Sequence, residues 1–141
     1  MEENMKEQLE KSFSLLKTSS EKENEHARNL KRKISFLFDM TSLLFKYDLL
    51  EWEGTEKLTA GMSKTIDVCD KVIAASEKVK TLETPLQPWG ELIPERMEAL
   101  LRVSQEMGIA VASFQAYLEN PENIAYLNSY NDMLLKKIME M

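Results

Sequence analysis

The hydrophobic positions of this chain recur at helical spacing along almost its whole length. No run alternates between apolar and polar side chains, which is the pattern of a half-buried β-strand. Breaks in the helical periodicity fall at three places: Gly54, the segment 85–94, and Pro121. The pattern therefore predicts an all-α fold built from long helices.

Five segments of the chain carry an apolar helical face. Their approximate bounds are residues 2–17, 20–52, 56–82, 94–119 and 121–141. Short connections between amphipathic helices favour antiparallel packing of neighbours. We therefore predict an all-α antiparallel bundle of four long helices, plus an N-terminal helix or arm. With 141 residues, the chain is expected to form a single domain, residues 1–141.

The segment Thr18-Ser19-Ser20 offers a possible boundary between the first two helices. Thr18 with Glu21, and Ser20 with Glu23, have the spacing of a capping box, in which a hydroxyl and a carboxylate satisfy backbone N–H groups. This favours a helix break, so that residues 1–19 would form an N-terminal arm. One continuous helix remains an alternative, because no Gly or Pro interrupts the stretch.

The connection at residues 84–93 is longer than a minimal turn between helices. We expect its apolar side chains, among them Trp89, to fold over one end of the bundle. Pro94 suits the first position of the next helix, where a missing N–H has no cost. Asn120-Pro121 likewise predicts a cap followed by the first residue of the last helix.

The segment Ile34–Trp52 is apolar around most of a helix. A surface helix usually needs an apolar arc of about 100° or slightly more, and this segment has over twice that. It should therefore be covered from at least two directions, by this chain or by another. Thr41 and Asp48 lie inside the arc and would need polar partners there.

Composition and charge exclude several classes of function. The formal net charge is −6, which disfavours nucleic acid as the main ligand. Charged residues inside Ile34–Trp52 disfavour a stable membrane span, since each costs a few kcal/mol at a bilayer centre. The start of the chain lacks the pattern of a signal peptide, so a cytoplasmic protein is expected.

Candidate catalytic and metal-binding residues are sparse. Glu23 and His26 have the spacing of one di-iron motif, but such sites need two of these pairs, and this is the only histidine. A solvated His26 is the favoured interpretation. Cys69 lies on an apolar face and is expected to be a buried small hydrophobe. We therefore predict no catalytic residues, no cofactor and no metal.

Three further features have a structural interpretation, and the first of them also has a functional one. Arg28, Lys31, Arg32 and Lys33 could contact phosphate or an acidic partner, form a solvated turn, or meet the acidic C-terminal part of the same chain. Ser104, Gly108 and Ala112 form a ladder of small residues at four-residue spacing. Such ladders usually indicate close helix packing within a fold. Asn131 could set helix register or lie at an edge.

Trp52-Glu53-Gly54 is a Trp-x-Gly triplet between two long helices. In this feature the chain resembles the Trp-x-Gly family of small helical-hairpin proteins that type VII secretion exports. This chain is longer, has two further helices and lacks the family's C-terminal Tyr-x-x-x-Asp/Glu signal. The alternative interpretation makes Trp52 an anchor at a helix end.

The sequence therefore favours a non-enzymatic helical interaction module that acts as an adaptor, regulator or assembly subunit. Its expected partner is a second copy, forming a homodimer, or another helical protein. The alternatives are an amphipathic coat on a membrane or granule, and a small-ligand binder or enzyme with a pocket between helices. The candidate partner-binding residues are Phe38, Phe45, Trp52 and Trp89.

Overall fold

The computed structural model describes residues 3–47 and 55–140. Its helices are α1, Glu3–Lys46; α2, Thr55–Lys80; α3, Pro94–Glu119; and α4, Pro121–Met139. The fold is all-α, as the hydrophobic periodicity predicts. The bounds of α3 match the predicted 94–119.

Helix α1 runs through the predicted boundary at residues 18–20 without interruption. The predicted break is therefore wrong, and the described part of the predicted arm, from Glu3 to Ser19, belongs to this 44-residue helix. The Thr18 hydroxyl donates to the Ser14 carbonyl, at 3.0 Å, instead of capping a new start. Ser20 is buried within the helix. The hydroxyl groups in this stretch are thus accommodated without breaking the helix.

Helices α1 and α2 are antiparallel neighbours. Arg28 pairs with Glu77 at 2.9 Å, and Lys31, one turn later, pairs with Asp70 at 2.5 Å. As residue numbers rise along α1, the partners' numbers fall along α2. This order fixes the opposite directions of the two helices.

Helices α2 and α3 are also antiparallel. The hydroxyls of Thr65 and Tyr117 lie 2.6 Å apart, and the Lys78 ammonium lies 2.8 Å from the Glu106 carboxylate. Asn120 ends α3 and accepts a hydrogen bond from the backbone N–H of Glu122, at 3.1 Å. The predicted cap at the start of α4 is therefore confirmed.

The buried side chains form two clusters. The larger lies between α1, α2 and α3 and contains Ala27, Cys69, Val72, Ala75, Val79, Val103, Met107, Ala110 and Phe114. The second joins α1, α2 and α4 and contains Ile34, Leu37, Leu44, Met62, Tyr130 and Leu134. The C-terminal half of α1 therefore packs against both α2 and α4.

The N-terminal part of α1 extends beyond the end of α2. The Lys17 ammonium donates to the carbonyls of Lys80 and Leu82, at 2.9 and 2.8 Å, and so caps the C-terminus of α2. Residues 3–16 of α1 continue past this point for about 20 Å, at 1.5 Å per residue. Lys6 in this extension lies over Gly90 of the 84–93 loop.

Candidate interaction surface

The C-terminal half of α1 buries a single narrow stripe. Ile34, Leu37, Thr41 and Leu44 are buried, at spacings of three and four residues. These side chains occupy one face of the helix because such spacings return to the same side. The described residues therefore cover one direction of the apolar arc, and other large side chains of the arc face outward.

The outward apolar side chains lie on the two flanks of the buried stripe, and we call one of these flanks the α1 aromatic face. Phe36 and Tyr47 are each 63% exposed and Leu43 is 46% exposed. On the other flank of the buried stripe, Phe38 and Phe45 are 39% and 41% exposed. The α1 aromatic face consists of Phe36, Leu43 and Tyr47, which share one flank of the helix, whereas Phe38 and Phe45 lie on the opposite flank.

Two of the four candidate partner-binding residues lie on the opposite flank, outside the α1 aromatic face. The structure places Phe38 and Phe45 on the same flank of α1, seven residues apart, with both partly exposed. Trp52 and the Trp-x-Gly triplet lie outside the described residues, as does Asp48. Phe36, Leu43 and Tyr47 were assigned to the apolar arc by the sequence, which did not distinguish exposed from buried members.

Trp89 lies in a different part of the molecule, at the tip of a tight turn. The Gly90 N–H donates to the Gln87 carbonyl at 2.8 Å, and the Gln87 N–H donates to the Glu91 carbonyl at 2.7 Å. Pro88 precedes Trp89, and Gly90 has a φ of +90° that disfavours other residues. We call residues 87–91 the Trp89 turn. Trp89 on this turn is 66% exposed.

The candidate residues therefore do not form one site. Gly90 lies beside Lys6, whereas Phe45 lies 39 residues further along the same helix. At 1.5 Å per residue, that interval corresponds to about 59 Å. The Trp89 turn and the α1 aromatic face are thus two separate apolar surfaces near opposite ends of α1.

A groove lies between α1 and α4 beside the α1 aromatic face. Its volume is about 360 Å³. We call it the α1–α4 groove, and it is lined by Leu30, Lys33, Ile34, Phe36, Leu37, Asn128 and Asn131. Apolar side chains form much of its wall, while one ammonium and two amide groups supply polar contacts. Within residues 3–47 and 55–140, Lys33 makes no ion pair.

The basic cluster of α1 is largely engaged within the chain. Arg28 and Lys31 pair with Glu77 and Asp70 of α2, as described above, and all four side chains are partly exposed. The hypothesis that this cluster meets the acidic C-terminal part is therefore wrong for these two residues. Exposed ion pairs of this kind contribute modestly to stability.

Gly108 and Ala112 of the small-residue ladder face outward and Ser104 is half-buried, so close packing within the fold is the wrong interpretation for the first two. A Cβ added at Gly108 would meet no atom within 4 Å. Ala112 is exposed, and so are the neighbouring Leu101 and Ile109. The face of α3 that packs inward carries larger side chains, such as Met107 and Phe114.

Cys69 is fully buried in the larger core cluster, as predicted. Burial raises the pKa of its thiol to about 11, and the neighbouring Asp70 carboxylate adds to this effect. A thiol with this pKa is protonated at neutral pH and is a poor nucleophile.

The environment of His26 agrees with its predicted exposure. The residue is exposed, and its ring meets the edge of Phe114 with centroids 5.2 Å apart. Across the described ranges, no three residues among His, Cys, Asp and Glu are grouped to hold a metal ion.

Tyr130 is the buried residue that the sequence did not indicate. The Thr41 hydroxyl donates to the Leu37 carbonyl at 2.6 Å, so it accepts from the Tyr130 hydroxyl. Burial raises the pKa of Tyr130 above 10, although the hydrogen bond with Thr41 opposes the shift. The partner that Thr41 was expected to need is thus found on α4. Asn131, beside Tyr130, is exposed and takes the edge position.

Comparisons with known proteins add no functional information about the chain. No family model, curated protein or solved structure matches it. None of the helices in the described ranges combines the length and apolarity needed to cross a membrane.

Proposed function

We propose that this chain is a non-enzymatic helical interaction module that self-associates through the C-terminal half of α1. In the arrangement we propose, the helices form an antiparallel bundle and the α1 aromatic face is the docking surface. One observation carries the proposal. Helices α2 and α4 bury one stripe of the C-terminal half of α1. Phe36, Leu43 and Tyr47 lie beside that stripe and stay exposed.

The energetic reason for association is the removal of apolar area from water. Burial yields about 25 cal/mol per Å² of apolar surface. Aromatic side chains are enriched among the residues that dominate binding energy at protein interfaces. Contiguous apolar side chains on one flank of a helix therefore favour contact with a second apolar surface.

Light scattering on Leu43→Asp tests the proposal. We expect the wild-type chain to have a solution mass above 16.3 kDa, and Leu43→Asp to approach that monomer mass. A charge buried in an apolar interface is costly, so the variant should dissociate. Because Leu43 is already exposed, the monomer should stay folded.

Leu15→Asp is the matched control. Leu15 is an exposed leucine on the same helix, far from the α1 aromatic face. The substitution changes charge and apolar area in the same way and should leave the mass unchanged. Docking through this face would be contradicted if Leu43→Asp had the same solution mass as wild type. It would also be contradicted if Leu43→Asp and Leu15→Asp lowered the mass equally.

A coat on a membrane or granule surface is the alternative function. It is favoured by exposed apolar residues on α4, including Leu135 and Met139. Helices that lie in a lipid interface bind through one apolar face. Sedimentation with neutral and anionic liposomes distinguishes the two functions, because a self-associating module should remain in the supernatant with both.

A small ligand in the α1–α4 groove is the further alternative. Pockets for small molecules have volumes of about 300 Å³ or more, with apolar walls and few polar groups. Thermal-shift screening tests it, since a selective ligand raises the unfolding temperature.

A further inference from the structure

We propose that the Trp89 turn of one copy of this chain docks into the α1–α4 groove of a second copy. The inference rests on the proposed self-association and adds a contact beside the α1 aromatic face, since Phe36 belongs to that face and also lines the groove. It pairs two features that lie far apart in one chain, so that each copy contributes a turn to one contact and a groove to another.

The chemistry of the groove suits an indole ring. Leu30, Ile34 and Leu37 give it apolar walls, while the side-chain amides of Asn128 and Asn131 lie at its α4 side. A tryptophan needs both, because its ring is apolar and its N–H must donate a hydrogen bond when buried. The amide oxygen of either asparagine is a suitable acceptor.

The Trp89 turn is preorganised to insert a side chain. Two backbone hydrogen bonds close it, from Gly90 to Gln87 and from Gln87 to Glu91, and Ile93 donates to Pro85 at 2.7 Å behind it. A side chain displayed on a fixed backbone loses little conformational freedom on binding, which improves affinity. The exposed position of Trp89 on this turn leaves its ring accessible to a second molecule.

The charges around the two surfaces are complementary. The segment 83–98, which includes the turn, has four acidic residues and one basic residue. The segment 28–37 beside the groove has four basic residues and no acidic one, and of these Arg28 and Lys31 already pair with Glu77 and Asp70 of α2. Glu91 belongs to the turn and Lys33 lines the groove, and neither forms an ion pair within the described chain. Docking of Trp89 brings these opposite charges together.

A turn cannot reach the groove of its own chain. Gly90 lies beside Lys6, and Lys33 is 27 residues further along the uninterrupted helix α1. That interval corresponds to about 40 Å at 1.5 Å per residue. A Trp89 turn that occupies the groove must therefore come from another copy.

Mixing two complementary variants tests this contact. Trp89→Ala removes the turn's side chain but keeps the groove, whereas Asn131→Trp fills the groove but keeps the turn. Each variant alone should self-associate at least about tenfold more weakly than wild type, as expected for a central aromatic contact. Titration of labelled Trp89→Ala with Asn131→Trp should restore binding, because the mixture contains one intact turn and one intact groove.

Leu101→Ala is the control for loss of an exposed apolar side chain elsewhere, on α3, and should bind as wild type does. Wild-type affinity in Trp89→Ala, or a mixture that binds no better than its components, would overturn the contact. Wild-type affinity in Trp89→Ala would leave the proposed self-association intact. A monomeric wild type would instead refute the proposed function and this inference together.

Charge reversal gives a second test if Asn131→Trp perturbs α4. Lys33→Glu and Glu91→Lys should each weaken self-association, and the double variant should regain it because the opposite charges are again paired. Sedimentation velocity measures the self-association of the two single variants and the double variant. A double variant at least as weak as the two single variants would contradict the pairing of Lys33 with Glu91.

Discussion

At the scale of single residues, polar side chains in the core determine how helices meet. Thr41 falls inside the apolar arc of α1, where an unpaired hydroxyl would be costly. Its hydroxyl donates to Leu37 in its own helix and accepts from Tyr130 on α4. One buried residue thus ties α4 to the half of α1 that carries the α1 aromatic face.

The buried thiol of Cys69 predicts a specific dependence of stability on pH. Its folded pKa of about 11 lies above the ordinary value of 9.0, so the folded state holds the proton more tightly. The resulting stability is complete below pH 9 and is lost as the pH rises towards 11. We expect the free energy of unfolding to decrease by about 1 kcal/mol between pH 8 and 10 because of this thiol.

Urea denaturation of wild type and Cys69→Ala at both pH values isolates this effect. Tyr130, whose pKa is also raised, contributes in both proteins and cancels in the comparison. The variant should lose less stability at pH 10 than wild type does. Parallel losses in the two proteins would show that the thiol is not buried as described.

At the scale of helices, local signals predicted boundaries better than they predicted faces. Pro94 and Asn120-Pro121 fixed α3, because proline and a capping amide act on the backbone next to them. The Thr18–Ser20 signal was wrong because the same hydroxyls can bond within a continuous helix.

Which side of a helix is buried depends on contacts with distant parts of the chain, which local patterns do not contain. The sequence pattern indicates the apolar arc of Ile34–Trp52. The burial of Leu37 and Leu44 within that arc follows from the positions of α2 and α4. Gly108 lies outward for the same reason, because α3 turns its bulkier face to the core. The separation of Trp89 from Phe45 likewise required the length and continuity of α1.

The contact between α1 and α4 predicts an asymmetry between two substitutions. Tyr130→Phe removes one buried hydrogen bond and should cost about 0.5–1.5 kcal/mol of unfolding free energy. Thr41→Val leaves the Tyr130 hydroxyl buried without an acceptor and should cost about 1–3 kcal/mol. The double variant should be more stable than Thr41→Val, because no buried hydroxyl then lacks a partner.

Thr18→Val is the matched control for this series, measured by urea denaturation. Thr18 makes the same hydrogen bond to the carbonyl four residues earlier in α1, but it is exposed. Thr18→Val should lower the free energy of unfolding by less than Thr41→Val does. Equal costs at the two positions would mean that the Thr41–Tyr130 hydrogen bond does not stabilise the packing of α4.

At the scale of the whole molecule, the long helix α1 separates two surfaces with different chemistry. Its N-terminal extension lies beside the acidic Trp89 turn, and its C-terminal half carries the α1 aromatic face and the basic side of the α1–α4 groove. A chain with unlike surfaces near its two ends can join copies of itself through contacts between different patches. Self-association would bury the aromatic side chains that the fold leaves exposed.

Sedimentation equilibrium of the wild-type chain over a range of concentrations tests self-association most directly. The proposed function requires an average mass that rises above 16.3 kDa as concentration increases, since binding follows mass action. A mass that stays at 16.3 kDa throughout would contradict it and would leave the α1 aromatic face without a second copy to cover it.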